Sequence, residues 1–115
     1  MDDIQMNNSL SQGINVYIDT TLKNRIMEND IIFVGKKPIM SYVMAILTHL
    51  NSGNNQVVLK ARGSSISTAV DISQVTMNKF MKDLKISHID IGTEELADKE
   101  GKKRNVSFIS IEMKR

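Results

Sequence analysis

The sequence predicts an α+β fold, a two-layer β-α-β-α-β-β sandwich with both helices on one face of a mixed four-stranded sheet. Two short apolar runs, residues 31–34 and 57–59, are each followed directly by a pattern of helical spacing. Two further strand-like segments, residues 84–91 and 106–113, come last in the chain. Because crossovers between parallel strands are right-handed, both helices should cover the same sheet face. With 115 residues, of which 41% are hydrophobic, the chain can form one core.

The first strand and the first helix are separated by a proline. Residues 31–34 form a continuous apolar run, which is typical of a strand buried on both faces. Pro38 suits the start of a helix, where its missing N–H group is not needed. Apolar residues then recur at helical spacing from residue 39 to residue 50, and residues 51–53, Asn-Ser-Gly, end the helix.

The second strand and helix repeat this arrangement. Residues 56–62 form the strand, and Gly63 begins a turn in which Ser64 or Ser65 supplies a hydroxyl cap for the helix. We regard these serines as caps rather than as phosphate donors. An apolar stripe predicts a second helix over roughly residues 65–82. Its methionines and phenylalanine near the end are interpreted as core or subunit contacts.

The last two strands are predicted to form a hairpin with a projecting arm. In the strand over residues 84–91, the alternation of apolar and polar residues slips near Ser87 and His88, which indicates a bulge. Residues 106–113 alternate regularly. The long polar stretch at residues 93–105 does not resemble a tight two-residue turn, so we interpret it as the arm between the third and fourth strands.

The charge distribution divides the chain into two parts. Residues 1–30 contain five acidic and two basic residues, a net charge of −3, and are rich in Asn, Asp, Ser and Thr. Residues 31–115 contain 13 basic and 8 acidic residues, a net charge of +5. We therefore divide the chain into an acidic, polar N-terminal extension at residues 1–30 and a basic domain at residues 31–115. One hypothesis is that the extension folds over the cationic surface and competes with phosphate.

Several classes of protein are disfavoured by composition and motifs. Cysteine is absent, and His49 and His88 lack a local cluster of ligands, so we expect no metal, no cofactor and no histidine-based catalytic triad. The GKKP sequence at residues 35–38 lacks the glycine and hydroxyl spacing of a nucleotide-binding P-loop. Glu94 and Glu95 should point to opposite strand faces and cannot act as a catalytic pair. We expect a protein that is not an enzyme.

Two further features concern location and binding mode. No stretch approaches the roughly 18 apolar residues of a membrane helix, and residues 1–3 do not begin a signal peptide. We therefore expect a cytoplasmic protein with no membrane partner.

Tryptophan is absent, and tyrosine and phenylalanine together number five, so stacking on unpaired bases is not expected to be the main binding mode.

Two basic blocks carry the functional signal. Lys36 and Lys37 follow the first apolar strand, and Lys60 and Arg62 end the second. A helix start favours anions because it has unpaired N–H groups and the positive end of the helix dipole. The ends of two parallel strands emerge at one edge of the sheet, so the blocks should form one cationic surface. This surface predicts binding to a nucleic-acid backbone.

Simpler explanations of the same residues remain open at this point. Lys36 and Lys37 can be solvated loop lysines, and Arg62 can pair with Asp71 or another neighbouring carboxylate. The basic residues of the arm can form an ordinary solvated turn or contact nucleic acid; they are Lys102, Lys103 and Arg104.

Ordered sequence blocks carry a further signal. Residues 32–45 read IFVGKKPIMSYVMA and residues 60–63 read KARG. These blocks resemble the Alba family of archaeal chromatin proteins, and the first is similar to the opening signature of that family. Shorter blocks follow at matching spacing; they are residues 66–67, 69–71, 91–94 and 105–107. The resemblance covers residues 31–115 and excludes residues 1–30.

The resemblance implies a homodimer that binds double-stranded DNA, and often RNA, with little sequence preference and that coats and compacts the chromosome. By position, the backbone contacts would be Lys36, Lys37, Lys60 and Arg62, with Lys102, Lys103 and Arg104 contributing from the arm. Lys36 is the candidate acetylation site, and acetylation would remove its charge. Phe80 lies where dimers of the family meet along DNA.

Three departures from the family weaken parts of this expectation. Ser64 and Thr68 stand where members commonly carry basic residues, and Met77 precedes Asn78 where a basic residue is common. Two alternatives therefore stay open beside chromosome coating. One is an RNA-directed protein or ribonucleoprotein subunit, and the other is a dimeric protein-interaction scaffold with weakened nucleic-acid binding.

Overall fold

A computed structural model describes residues 27–115 and confirms the predicted fold class. The strands are β1 (Ile31–Phe33), β2 (Gln56–Arg62), β3 (Lys85–Ala97) and β4 (Lys103–Lys114). The helices are α1 (Ile39–Asn51) and α2 (Ile66–Val75). The four strands form one mixed sheet in the order β1-β2-β4-β3. No helix within residues 27–115 is long and apolar enough to cross a membrane.

The core lies between one face of the sheet and the two helices. α1 packs against β2 and α2, and α2 packs against β2 and β4. Alternate residues of the central strands point into this layer, as the period of two in a strand requires. The largest buried side chains of the layer come from both helices and both central strands: Val43, Ile46, Leu50, Val57, Leu59, Ile72, Ile111 and Met113. The opposite sheet face carries no helix from residues 27–115.

The second helix differs from its prediction at both ends. It is preceded by a 3₁₀ turn at Gly63–Ser65, with Gly63 at φ +54°, and neither element has a side-chain cap. The predicted hydroxyl cap from Ser64 or Ser65 is therefore wrong, because the 3₁₀ turn continues directly into α2. At its other end the helix widens into a π-helical turn, Thr76–Phe80, and the regular helix does not extend to residue 82.

The hairpin of β3 and β4 contains the predicted bulge, and its arm is more regular than the sequence indicated. Ile86 pairs with Met113 and His88 with Glu112, which leaves Ser87 unpaired in the ladder. The last β2–β4 pair is Arg62 with Phe108, and beyond it β3 and β4 pair only with each other. The predicted polar arm is thus a two-stranded ladder that projects past the end of β2. Gly101, at φ +83°, lies in its closing turn.

A buried carboxylate ties the segment before β1 to the sheet. Asp30 is 3% exposed, and its oxygens accept hydrogen bonds from the Met27 N–H (2.9 Å) and the Gln56 amide (3.1 Å). His49 Nε2 lies 2.8 Å from Asp30 Oδ1 and 3.1 Å from the Gln56 carbonyl oxygen. Because Nε2 faces two acceptors, it carries a hydrogen. Asp30 therefore belongs to the fold, although the division of the sequence places it in the extension.

Most of the predicted extension lies outside the described residues. Residues 1–26 are in that part of the chain, and so is the hypothesis that an acidic segment competes with phosphate. Of the five acidic residues counted for the extension, Glu28 and Asp30 are described. Because Asp30 is buried and hydrogen-bonded, it adds nothing to a competing surface.

The hydrogen bonds to Asp30 determine its acidity. Burial by itself would raise the pKa of Asp30, but the bonds from the Met27 N–H, the Gln56 amide and His49 outweigh burial and lower this pKa below its ordinary value of 3.8. A carboxylate whose pKa is lowered by folding stabilises the fold at pH values above its pKa in the unfolded state. That contribution is lost as the pH falls through the lowered pKa of the folded state.

Replacement of Asp30 by Asn should lower the free energy of unfolding at pH 7 by about 2 kcal/mol, because a neutral amide cannot replace the charged acceptor of three hydrogen bonds. The difference from wild type should shrink as the pH falls below about 4. Urea unfolding at pH 7, 5 and 3, at one protein concentration, measures both effects. The control is Asp71→Asn, at an exposed position on α2. Equal stabilities of the two variants at pH 7 would show that the buried network contributes nothing.

Candidate nucleic-acid interface

The parallel pairing of β1 and β2 brings both basic blocks to one edge of the sheet. Phe33 is the register partner of Lys60, and the Val34 N–H donates to the Lys60 carbonyl oxygen at 2.8 Å. Lys36 and Lys37 follow within three residues of that bond, and both are exposed. The two blocks predicted to share an edge are therefore neighbours in space.

A buried tyrosine holds the first basic loop in place. The Tyr42 hydroxyl accepts hydrogen bonds from the Gly35 N–H (2.8 Å) and the Lys37 N–H (3.2 Å). These two loop amides are consequently occupied. They precede α1, which begins at Ile39, and are not the helix-start N–H groups expected to favour anions. The positive charge comes from the side chains of Lys36 and Lys37. The start of α1, which has no side-chain cap, adds to it.

The second basic block is partly neutralised by the arm. Arg62 forms two parallel hydrogen bonds with Glu94 on β3, Nε to Oε1 at 3.2 Å and Nη2 to Oε2 at 3.1 Å. Both side chains remain accessible to solvent. The alternative of a structural ion pair for Arg62 is therefore realised, with Glu94 and not with Asp71. An exposed pair of this kind is worth at most about 1 kcal/mol, so a phosphate can compete with it.

Lys60 differs from Arg62 in having no carboxylate partner within residues 27–115. It is exposed, and it lies on the sheet face that carries no helix. Among the basic residues at this edge, the side chains of Lys36, Lys37 and Lys60 are available for an anionic ligand.

The three basic residues of the arm do not act as one cluster. Lys102 lies in the closing turn, where its N–H donates to Asp98 at 2.8 Å. Lys103 lies 4.0 Å from Glu95, whereas Arg104 is in the next position of β4 and points to the opposite face. Arg104 therefore shares the helix-free face of the sheet with Lys60.

Ile89, Ile91 and Phe80 are among the large apolar side chains that lie exposed outside the core. Ile89 and Ile91 are on the helix side of β3, but β3 is the edge strand beyond α2, and Ile91 is 72% exposed. Phe80, at the end of the π-helical turn, is 48% exposed. Met77 and Met81 pack against the core, in agreement with their interpretation as packing residues.

Residues 27–115 contain no group of three or more His, Asp or Glu side chains placed to hold a metal ion. His49 is engaged in the buried contact with Asp30.

The fold and this edge define a class of protein, a two-layer α+β domain with a cationic edge and a projecting β-hairpin. The family model of Alba matches residues 30–93, and the chain belongs to the Alba family. It is 50% identical over 88 residues to the DNA/RNA-binding protein Alba of Methanocella arvoryzae, an alignment that covers 76% of this chain and 92% of that protein.

Solved structures show the same architecture. Alba from Thermoplasma volcanium superposes with a TM-score of 0.70 at 47% identity, covering 74% of this chain and 99% of the other. ALBA1 from Trypanosoma brucei, at 18% identity, superposes with a TM-score of 0.60 over 78% of this chain and 72% of the other. The second similarity concerns the fold alone.

Tyr42→Phe should loosen the first basic loop without unfolding the domain, because the Gly35 and Lys37 N–H groups lose their common acceptor. The amide hydrogens of these two residues should exchange at least about tenfold faster than in wild type, as expected for the loss of a hydrogen bond worth about 1.5 kcal/mol. Hydrogen exchange followed by NMR measures this. The amides in the middle of α1 serve as the internal control and should change much less. Unchanged exchange at Gly35 and Lys37 would contradict the assigned role of Tyr42.

Proposed function

We propose that this protein binds double-stranded DNA, and also RNA, through the phosphate backbone and with little sequence preference. The observation that carries the proposal is the convergence of two basic loops and a projecting hairpin at one edge of the sheet. The names of the relatives, DNA/RNA-binding protein Alba, support the same ligand class. The proposal is for a binding protein without catalytic residues or cofactors.

The geometry supports recognition of phosphate rather than of base edges in a duplex. The available cations at the edge are lysines on exposed loops and strand ends, which pair with phosphate as flexible point charges. Each bound phosphate releases counterions from the duplex, so the affinity should fall steeply with salt. Of the basic residues proposed from the sequence, Lys36, Lys37 and Lys60 are proposed to make the main phosphate contacts. The residues that have ion-pair partners or lie on the arm are proposed to contribute less: Arg62, Lys102, Lys103 and Arg104.

We further propose a homodimer, with arrays of dimers on DNA that coat and compact the chromosome in the cytoplasm. Ile89 and Ile91 on the uncovered side of β3 form an apolar surface that a second copy of the chain would bury. Phe80 is exposed on a different part of the molecule, which suits a contact between dimers. Lys36 is exposed and is proposed as the acetylation site that weakens backbone binding.

One observation favours the alternative of weakened nucleic-acid binding. Arg62 is paired with Glu94, and Ser64 supplies no charge beyond it, so the second basic block contributes one available cation, Lys60. A dimeric scaffold for protein partners would fit this reduced charge. An RNA-directed protein would fit the same edge, because backbone recognition also serves A-form helices.

The double substitution Lys36→Ala, Lys37→Ala should weaken binding to a short duplex and flatten its dependence on salt. The slope of log K against log salt should decrease by roughly 1.8 per protomer, about 0.9 for each lost phosphate contact. Fluorescence anisotropy with duplex DNA and with duplex RNA at several salt concentrations measures the slope. The matched control is Lys82→Ala, Lys85→Ala, which removes the same charge at the opposite end of the sheet.

Each outcome of this titration has a defined meaning. Equal slopes for the two double variants would overturn the assignment of the Lys36–Lys37 loop, and an absence of binding by the wild type at low salt would favour the scaffold. The tighter of the two duplexes identifies the preferred nucleic acid.

Glu94→Gln should release Arg62 and tighten duplex binding about threefold at low salt, a gain of the size expected for freeing one exposed cation. Glu100→Gln is the control, because it removes the same charge from the closing turn of the arm, where Glu100 is exposed and has no ion-pair partner within residues 27–115. The same anisotropy titration compares the two variants. If both tighten binding equally, the effect is one of net charge and Arg62 makes no contact of its own.

A further inference from the structure

A cleft of about 610 Å³ opens on the sheet face that carries no helix. Two phenylalanines contribute to its wall, Phe33 from β1 and Phe108 from β4. The rest of the lining includes both apolar and polar residues, and its charged members are Lys60, Arg62, Asp90 and Glu94. This cleft combines aromatic rings with positively and negatively charged side chains. In this it differs from the exposed edge, where the available charges are lysines.

The pairing register explains how these residues come together. Phe33 pairs with Lys60, Lys60 with Ser110, and Ser110 with Asp90, so one row of side chains crosses all four strands. In the next row, Arg62 pairs with Phe108. Members of such rows share a sheet face, since partners in adjacent strands point the same way.

The two aromatic rings are presented in different ways. Phe33 is 72% exposed, which is unusual for a large apolar side chain on a strand next to the core. The Phe108 ring lies over Gly92, because a Cβ atom added at Gly92 would be 2.8 Å from Phe108 Cε2. The absence of a side chain at residue 92 therefore lets the ring lie close to the neighbouring strand. One ring is free in solvent and the other is fixed on the sheet.

We propose that this cleft binds unpaired nucleotides of a single strand, with bases stacked on Phe33 and Phe108 and a phosphate on Lys60. This inference rests on the proposed function and deepens it by naming a second ligand form. Open four-stranded sheets that carry aromatic residues stack two or three bases in other RNA-binding folds. Stacking tolerates any base because every base has a π-face.

The carboxylates of the cleft fit a base better than a phosphate. Asp90 and Glu94 repel phosphate, but they accept hydrogen bonds from the exocyclic amino groups of bases. Lys60 lies between the two aromatic positions, on the strand between β1 and β4, and supplies the charge for the backbone. The low aromatic content of the chain does not oppose stacking, because two of its three phenylalanines line this one cleft.

The test compares Phe33→Leu with Met44→Leu, a conservative change at an exposed apolar side chain of α1 outside the cleft. The probes are a fluorescein-labelled 12-nucleotide single-stranded RNA, its DNA equivalent and the duplex used above, all titrated with the full-length chain. Phe33→Leu should weaken binding of the single strands about tenfold, the size of the loss of one stacked base. Duplex affinity and the salt slope should stay unchanged. Phe33→Trp should retain single-strand binding.

The outcomes separate this inference from the proposed function. Loss of single-strand affinity in Phe33→Leu but not in Met44→Leu supports the cleft, and the DNA and RNA probes identify the preferred sugar. If Phe33→Leu binds single strands as tightly as the wild type does, the inference about the cleft is overturned. It is also overturned if Phe33→Leu loses affinity equally for single strands and for the duplex. In either case the response of duplex binding to Lys36→Ala, Lys37→Ala still decides the proposed function independently.

Discussion

The parallel pairing of β1 with β2 is the constraint on which the rest of the structure depends. Its register, with Phe33 opposite Lys60, places the ends of both strands at one edge. Both basic loops consequently leave the sheet side by side. With the strand order β1-β2-β4-β3, right-handed crossovers place both helices over one face, so within residues 27–115 the other face carries no helix and presents Phe33 and Lys60 together. A shift of one residue would turn Lys60 towards the core and Ala61 outward, and the cationic surface would be lost.

Hydrogen bonds from distant residues then determine how much of the charge is available. Tyr42 occupies two amides of the first loop, so in the proposed contact with phosphate this loop would act through the side chains of Lys36 and Lys37. Glu94 pairs with Arg62 but is exposed, and an exposed pair is worth at most about 1 kcal/mol. Release of counterions from several phosphates exceeds that value. Arg62 is therefore held in place without being withdrawn from a ligand.

The parts that follow from local pattern could be predicted from the sequence, and the parts that depend on distant partners could not. Periodicity locates α1 and β2, and a slip in alternation marks the bulge at Ser87, because each signal lies within a few residues. The contacts of Asp30 with His49 and of Arg62 with Glu94 join residues 19 and 32 positions apart, and nothing in a local window identifies such pairs. The cleft depends on the strand order, which counting aromatic residues cannot reveal.

The shapes of the two surfaces separate their ligands. A duplex keeps the faces of its bases stacked inside and carries its phosphates on the outside, so it fits the exposed edge formed by the lysine loops. A single strand can turn its bases outward, and only such a base can enter a cleft of about 610 Å³. Lys60 belongs to both surfaces, since it ends the second basic block and also lies between the two rings. A duplex on the edge and a single strand in the cleft would therefore compete for the same lysine, so one protomer accommodates one of them at a time.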